Sequence, residues 1–376
     1  MKYYIIAGEA SGDLHGSNLI REIRKRDTAA EIRCWGGDKM EQAGASLVKH
    51  YSELAFMGFV EVIANLRTIL RNIDFCKQDI TEFSPDVIIF IDYPGFNLRI
   101  AAWAKQSGYR TIYYISPQVW AWKENRVKII KSSIDKMLVI LPFEKPFYEK
   151  WNYDVEYVGH PLIEVIDQFT ASNPEIKPDE KLVALLPGSR RQEILKKLPV
   201  MLETTKMFPG LRFVVAKAPG LPDSFYEPLL APYPNVTTAS NATYALLMQS
   251  RAALVTSGTA TLETALFGVP QVVCYKGNRI SYLIAKRLIK VRYISLVNLI
   301  MDRLIVKELI QDDMNVNNLG QELKNLLAES PYRNRIETDY RELKSILQKG
   351  GNASAQAAES IWQFMQHPLQ FSAGKK

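Results

Sequence analysis

The stretch Thr256-Ser257-Gly258-Thr259-Ala260-Thr261-Leu262-Glu263 decides how this chain folds. It follows an apolar run, Ala252-Ala253-Leu254-Val255, and opens a helical pattern that ends near Phe267-Gly268-Val269-Pro270. A buried strand feeding directly into a helix is half of a βα unit, the building block of parallel sheets. Small and hydroxylated residues fill the join, so a helix N-terminus lies open, and its free N–H groups and positive dipole end favour an anion. Glu263 falls about one turn further in, placed to hold a ribose diol. Ser257, Gly258, Thr259 and Glu263 together point to a nucleoside diphosphate.

A second loop of the same kind runs Leu185-Leu186-Pro187-Gly188-Ser189-Arg190-Arg191-Gln192-Glu193, after the apolar segment that begins at Leu182. Gly188 permits close backbone approach, Ser189 is a candidate helix cap, and Arg190 suits bidentate pairing with phosphate oxygens. Either loop alone reads equally as an ordinary capped turn. Two in one domain, one with a placed Arg and one with a placed Glu, select nucleotide binding.

Outward from these loops, strand-like runs alternate with amphipathic stretches of helical length along the chain. Strands are expected at 3–7, 32–35, 87–91, 111–115, 137–141 and 155–158, and then at 182–186, 212–216, 236–238, 252–255 and 271–275. Such alternation predicts parallel sheets with helices on both faces. The rhythm breaks at Ala171-Ser172-Asn173-Pro174-Glu175-Ile176-Lys177-Pro178-Asp179, a polar, proline-punctuated linker. The expected organisation is α/β: a Rossmann-like domain over 1–172, a second over 180–349, and a helix and tail over 350–376 that can pack back on the first domain. Ligands of open parallel sheets bind at the carboxyl ends of the strands. The two domains are therefore expected to face each other across a cleft, with nucleotide in the second and acceptor in the first.

Composition narrows the class. The chain has 376 residues, 47% hydrophobic and 23% charged, which is globular and large enough for two cores. A net charge of +7 suits anionic partners. The densest basic cluster, Lys286-Arg287-Leu288-Ile289-Lys290-Val291-Arg292, is interleaved with apolar residues and reads first as a solvated helix face. No continuous basic stripe alternates with aromatics, so nucleic acid is not an expected partner. Cys34, Cys76 and Cys274 are scattered, as are His15, His50, His160 and His367, so no disulfide framework or metal site is expected. The apolar stretch near Tyr3 is too short for a secretory leader, and no window is long enough to span a bilayer. A reducing, cytoplasmic setting follows.

Several first-domain residues are placed for chemistry. Gly8-Glu9-Ala10-Ser11-Gly12-Asp13 follows the first strand and sets Glu9, Ser11 and Asp13 at its carboxyl end, where Ser11 or Asp13 equally serves as a helix cap. Asp92 closes the very apolar strand Val87–Ile91 ahead of Tyr93-Pro94-Gly95. Burial there raises a carboxyl pKa and makes a better general base. His160, in Gly159-His160-Pro161, is a rival base or a hinge residue. Trp120 and Trp122, in the loop after strand 111–115, suit either core packing or contact with a sugar or acyl chain. Val60, Val62, Ile63, Leu66, Ile69 and Leu70 recur at helical spacing beside Arg67 and Arg71. That pattern fits a core-facing helix, or an acyl- or membrane-contacting one.

The sequence resembles the lipid-A-disaccharide synthase family of bacterial glycosyltransferases, which have the two-domain GT-B fold. The resemblance rests on Ala7–Asp13, Met57–Val62, Pro85–Asp92, Ser116–Trp122, Leu141–Lys145, Leu185–Arg190, Ser257–Glu263 and Tyr293–Leu299, in order along nearly the whole chain. It departs from many members at Gly95, where a second Asp is common, and at Val297, where Pro is common. The resemblance implies inverting transfer from UDP-2,3-diacylglucosamine to 2,3-diacylglucosamine 1-phosphate, giving a β-1,6 disaccharide 1-phosphate and UDP, with no cofactor. It implies Asp92 as base and Gly188, Ser189, Arg190, Ser257, Gly258, Thr259 and Glu263 around the nucleotide. Glu9, Ser11 and Asn298 would position substrate. It also implies work at the cytoplasmic face of the inner membrane, and it admits a homodimer without requiring one. A UDP-N-acetylglucosamine 2-epimerase shares the layout, and a non-catalytic, membrane-peripheral nucleotide-sugar binding protein is the third alternative.

Overall fold

A computed structural model describes residues 1–53, 66–122, 124–278, 282, 287 and 291–367. The chain divides into two compact units, Met1–Pro161 with Gln348–Lys376, and Leu162–Leu347. The break expected at 173–179 therefore moves to Pro161/Leu162. Helix Leu162–Ser172 belongs to the second unit because it buries Leu162, Ile163 and Ile166 there, and because Phe169 packs edge-on against Tyr244 and Phe267.

The first unit is built on a seven-stranded parallel sheet of order β3-β2-β1-β4-β5-β6-β7. Its strands are β1 Lys2–Ala7, β2 Glu31–Gly36, β3 Ser46–His50, β4 Val87–Ile91, β5 Arg110–Tyr114, β6 Lys136–Val139 and β7 Glu156–Tyr157. β4 is buried along its whole length, which is why its sequence runs apolar without alternation. Tyr4, Trp35, Phe90, Phe96 and Tyr113 are among the largest members of the core on this sheet. The last helix, Ala353–Gln366, packs on the first, Ala10–Arg26, and is pinned by Arg26 to Glu359 at 2.9 Å. Arg110 also donates to the carbonyls of Met365 and His367, at the end of that helix.

The second unit has a six-stranded parallel sheet of order β10-β9-β8-β11-β12-β13. Its strands are β8 Asp179–Leu186, β9 Arg212–Ala216, β10 Val236–Ala239, β11 Ser250–Thr256, β12 Gln271–Tyr275 and β13 Lys307–Ile310. β3 and β13 were not expected from the sequence. Both are edge strands and carry charge in place of an apolar run, as edges exposed to solvent do.

In both sheets the strand order reverses between the first strand and its neighbour, between β1 and β4 in one and between β8 and β11 in the other. The chain leaves these neighbours in opposite directions, and a crevice opens at their carboxyl ends. The candidate residues converge on these two points.

Candidate functional site

In the first unit, β1 pairs with β4 so that Ala7 lies opposite Ile91. The next residues, Gly8-Glu9 and Asp92-Tyr93, therefore emerge side by side, with the Tyr93 ring over Gly8. Asp92 and Tyr93 are both left-handed, at φ 43° and 51°. The turn is held from below: Asn97 Nδ2 donates to the carbonyls of Asp92 and Ile91, and Tyr113 Oη donates to the carbonyl of Asp92. Burial, and then the charge of Glu9, raise the Asp92 carboxyl to about 6. An acid poised there is ionised at neutral pH yet basic enough to accept a proton from a hydroxyl. Ser11 is exposed on the first turn of helix Ala10–Arg26.

Several expectations for this unit are corrected. Neither Ser11 nor Asp13 caps the helix that holds it, whose N-cap is Glu9 without a side-chain bond. Asp13 instead reaches across to the amides of Gly37, Lys39 and Met40 and so caps the neighbouring helix Asp38–Gln42. His160 is 4% exposed, and burial together with nearby His15 pushes its pKa down to about 3, which removes it as a rival base for an incoming substrate. Trp120 is buried, edge-on to Phe143, with its indole N–H on Glu144, whereas Trp122 is exposed. The row expected to meet acyl chains divides. Ile69 packs against the first unit's core and Leu70 is exposed, flanked by exposed Arg67 and Arg71. Val60, Val62 and Ile63 lie outside the described residues, as do the side chain of Leu66 and, in the basic cluster, Lys286 and residues 288–290.

In the second unit, β11 pairs with β8 so that Val255 lies opposite Leu186. The loops that follow, 187–190 and 257–259, are thereby neighbours. With the loop after β9 they enclose a cavity of about 250 Å³ lined by Gly188, Ser189, Glu193, Lys217, Thr243, Thr256, Ser257, Gly258, Thr259 and Glu263. Helix Thr259–Leu266 begins at this cavity with Gly258 as N-cap and no side-chain cap, so its amide end is left to the cavity. Glu263 accepts a hydrogen bond from Tyr244 Oη at 3.2 Å, and burial raises its pKa. Ser257 Oγ donates to the carbonyl of Ile294, which ties the 292–298 segment to the loop.

Three second-unit expectations change. Ser189 does not cap the next helix, which starts at Arg191 with Arg190 as an extended N-cap. Arg190 does not line the cavity; it is 58% exposed and paired with Glu193 at 3.1 Å. Asn298 is fully buried and spends its amide on protein. Its Nδ2 donates to Val306 O and Glu308, and its Oδ1 accepts from the amides of Ile305 and Val306. An amide so saturated braces the 292–298 segment and has no bond left for substrate. Lys217 went unnoticed in the sequence. Among the described residues it is the cation that lines the cavity, 11% exposed and paired with Asp223, and its position just past β9 was the one available signal. No cluster of His, Cys, Asp and Glu suited to a metal occurs among the described residues.

The family model described as lipid-A-disaccharide synthetase matches residues 3–364. The lipid-A-disaccharide synthase of Geobacter sulfurreducens is 39% identical over 358 residues, 92% of this chain and 93% of that one. That of Syntrophus aciditrophicus is 39% identical over 369 residues, 95% and 96% of the two chains. A Coxiella burnetii synthase is 36% identical over 377 residues, 98% of each. The chain belongs to the lipid-A-disaccharide synthase family.

Members of this synthase family are enzymes with the GT-B glycosyltransferase fold, and solved structures agree on the fold. The UDP-GlcNAc 2-epimerase of Neisseria meningitidis bound to UDP-GlcNAc matches with a TM-score of 0.67 at 14% identity, covering 96% of this chain and all of that one. CalG4, the calicheamicin glycosyltransferase, matches at 0.60 with 18% identity, covering 97% and 98%. Likeness to an epimerase at that identity carries only the fold, whereas whole-chain identity to synthases carries the family, so the epimerase alternative is not favoured.

Proposed function

We propose that this enzyme transfers the sugar of UDP-2,3-diacylglucosamine to the 6-hydroxyl of 2,3-diacylglucosamine 1-phosphate, releasing UDP and a β-1,6 disaccharide 1-phosphate. The observation that carries this reading is the acid-lined turn at the β1/β4 switch point. Asp92 there is held in a strained conformation and raised to about 6. An α-linked donor giving a β product needs a single in-line displacement. Asp92 accepts the proton of the acceptor hydroxyl as the new bond forms. Glu9 keeps that carboxylate basic.

The cavity of the second unit takes the nucleotide. The start of helix Thr259–Leu266 and Lys217 stabilise charge gathering on the leaving diphosphate, and Arg190 is recruited from its ion pair. Glu263, steadied by Tyr244, accepts hydrogen bonds from the ribose. Work at the inner face of the membrane is supported by the net charge of +7 and by exposed Leu70 between Arg67 and Arg71. Among the described residues no helix is long and apolar enough to cross a bilayer.

The test mixes purified protein with the acylated UDP-sugar and the acylated sugar phosphate and follows the disaccharide by mass spectrometry. Disaccharide formation that is lost in Asp92→Asn, with UDP binding retained, supports the reading. Wild-type protein that binds both substrates and forms no disaccharide overturns it.

A further inference from the structure

Glu193 lies on the first turn of helix Arg191–Thr205, and its carboxylate turns back to the loop that precedes the helix. One oxygen is 3.1 Å from Arg190 Nη1 and the other 3.6 Å from Lys197 Nζ. The second oxygen also presses on Gly188, where an added Cβ would stand 2.8 Å from it and where φ is +114°. That backbone conformation favours glycine. Lys197 is 3% exposed, and burial pulls its pKa below the usual lysine range despite the opposing pull of Glu193. On the same cavity wall Thr256 is buried, and its hydroxyl has no hydrogen-bond partner among the described residues. Lys217, this hydroxyl and the start of helix Thr259–Leu266 give the cavity the character of an anion site, and Glu193, which lines it, is an anion of the protein itself that holds two further cations, Arg190 and Lys197.

We propose that Glu193 is an internal counter-charge that must yield Arg190 and Lys197 to the incoming diphosphate, so that its charge opposes nucleotide binding and promotes release of free UDP. This rests on the reading of the cavity as the nucleotide pocket. The two forms of the nucleotide are not opposed equally. A β-phosphate esterified to sugar has one ionisable oxygen, whereas the freed terminal phosphate ionises again near pH 6 and is close to doubly charged at neutral pH. Glu193 therefore disfavours product more than donor. If Glu193 served only to aim Arg190, its removal would weaken binding, the opposite sign.

Calorimetry with UDP and with uridine, on wild type, Glu193→Gln and Glu193→Ala, separates these cases. Both variants are expected to bind UDP about tenfold more tightly, the scale of one nearby charge at a partly screened site, and uridine as wild type does. Product inhibition by UDP should strengthen in parallel. UDP affinity that is unchanged or weaker in the folded variants, with wild type binding UDP normally, overturns the proposal alone. Wild type that binds neither ligand overturns the nucleotide-pocket reading and this proposal with it.

Discussion

The side-chain amide of Asn97 donates to the backbone carbonyl of Asp92 at 2.7 Å, and so grips the residue from behind while leaving its carboxylate free of that bond. Left-handed backbone at Asp92 and Tyr93 costs on the order of 1–2 kcal/mol per residue, and Asn97 helps offset it. Asn97→Ala removes the amide donor shared by the Ile91 and Asp92 carbonyls, leaving Asp92 O to the Tyr113 hydroxyl, and should destabilise the fold by about 1–3 kcal/mol. In the protein that remains folded, kcat should fall at least tenfold, roughly the penalty of a misplaced reacting group. UDP affinity should hold. Single-turnover kinetics with parallel calorimetry reads both, and an unchanged kcat would remove the positioning role.

The acid limb of the pH profile should report Asp92. The base works only when ionised, so kcat/KM is expected to decline as pH falls through about 6. Burial and then Glu9 raise that carboxyl, and Glu9→Gln removes the second cause. The limb should therefore move to lower pH in the variant. A limb that stays in place or moves upward would separate Glu9 from Asp92.

Glu263 and Tyr244 make a claim about the ribose. Glu263→Ala should weaken UDP by about tenfold, the loss of charge-assisted hydrogen bonds to a diol. Wild type should likewise prefer UDP over 2′-deoxy-UDP, and the variant should bind the two nearly alike. Equal discrimination in both proteins would place the ribose elsewhere.

Asn298 yields a contrasting expectation. Four bonds from one fully buried amide make Asn298→Ala a stability mutation, costing about 2–4 kcal/mol. KM for both substrates should stay close to wild type at temperatures where the variant is folded. A KM that rises without loss of stability would restore the substrate-contact reading.

The crossing of Gly159 and Gly350 allows a matched pair of substitutions. A Cβ on Gly350 would stand 2.2 Å from Gly159 Cα, backbone that cannot step aside, whereas one on Gly108 would meet nothing, although its φ is +84°. Gly108→Ala should cost about 1–2 kcal/mol of conformational strain, and Gly350→Ala should exceed it by about 1–3 kcal/mol of overlap. Chemical denaturation of the two variants measures the difference.

Most of the fold was legible because a parallel strand covered on both faces is written as an uninterrupted apolar run. Val87–Ile91 and Leu182–Leu186 could be little else. The edge strands Ser46–His50 and Lys307–Ile310 escaped because half-solvated strands carry charge. The unit boundary was misplaced because Pro174 and Pro178 dominate the local signal, while the burial of Ile163 and Ile166 that assigns the preceding helix is a tertiary fact. For the candidate sites, strand ends marked Glu9 and Asp92, since position on a parallel strand predicts where a side chain emerges, and the helix that follows β11 marked Glu263 one turn in. What Asn298, Asp13 and His160 do depends on partners or burial that no spacing rule supplies. Lys217 had only its place after a strand to recommend it.

The last helix, Ala353–Gln366, rests on the first, and this orders events at the ribosome. The unit spanning Leu162–Leu347 is continuous and can close as soon as its own residues emerge, while the earlier-made half still lacks the segment that covers helix Ala10–Arg26. Nascent chains therefore carry helix Ala10–Arg26 uncovered on that side until Ala353–Gln366 emerges, and premature stop codons just upstream of Ala353 would release a protein with one finished half and one incompletely covered half, fit for proteolysis.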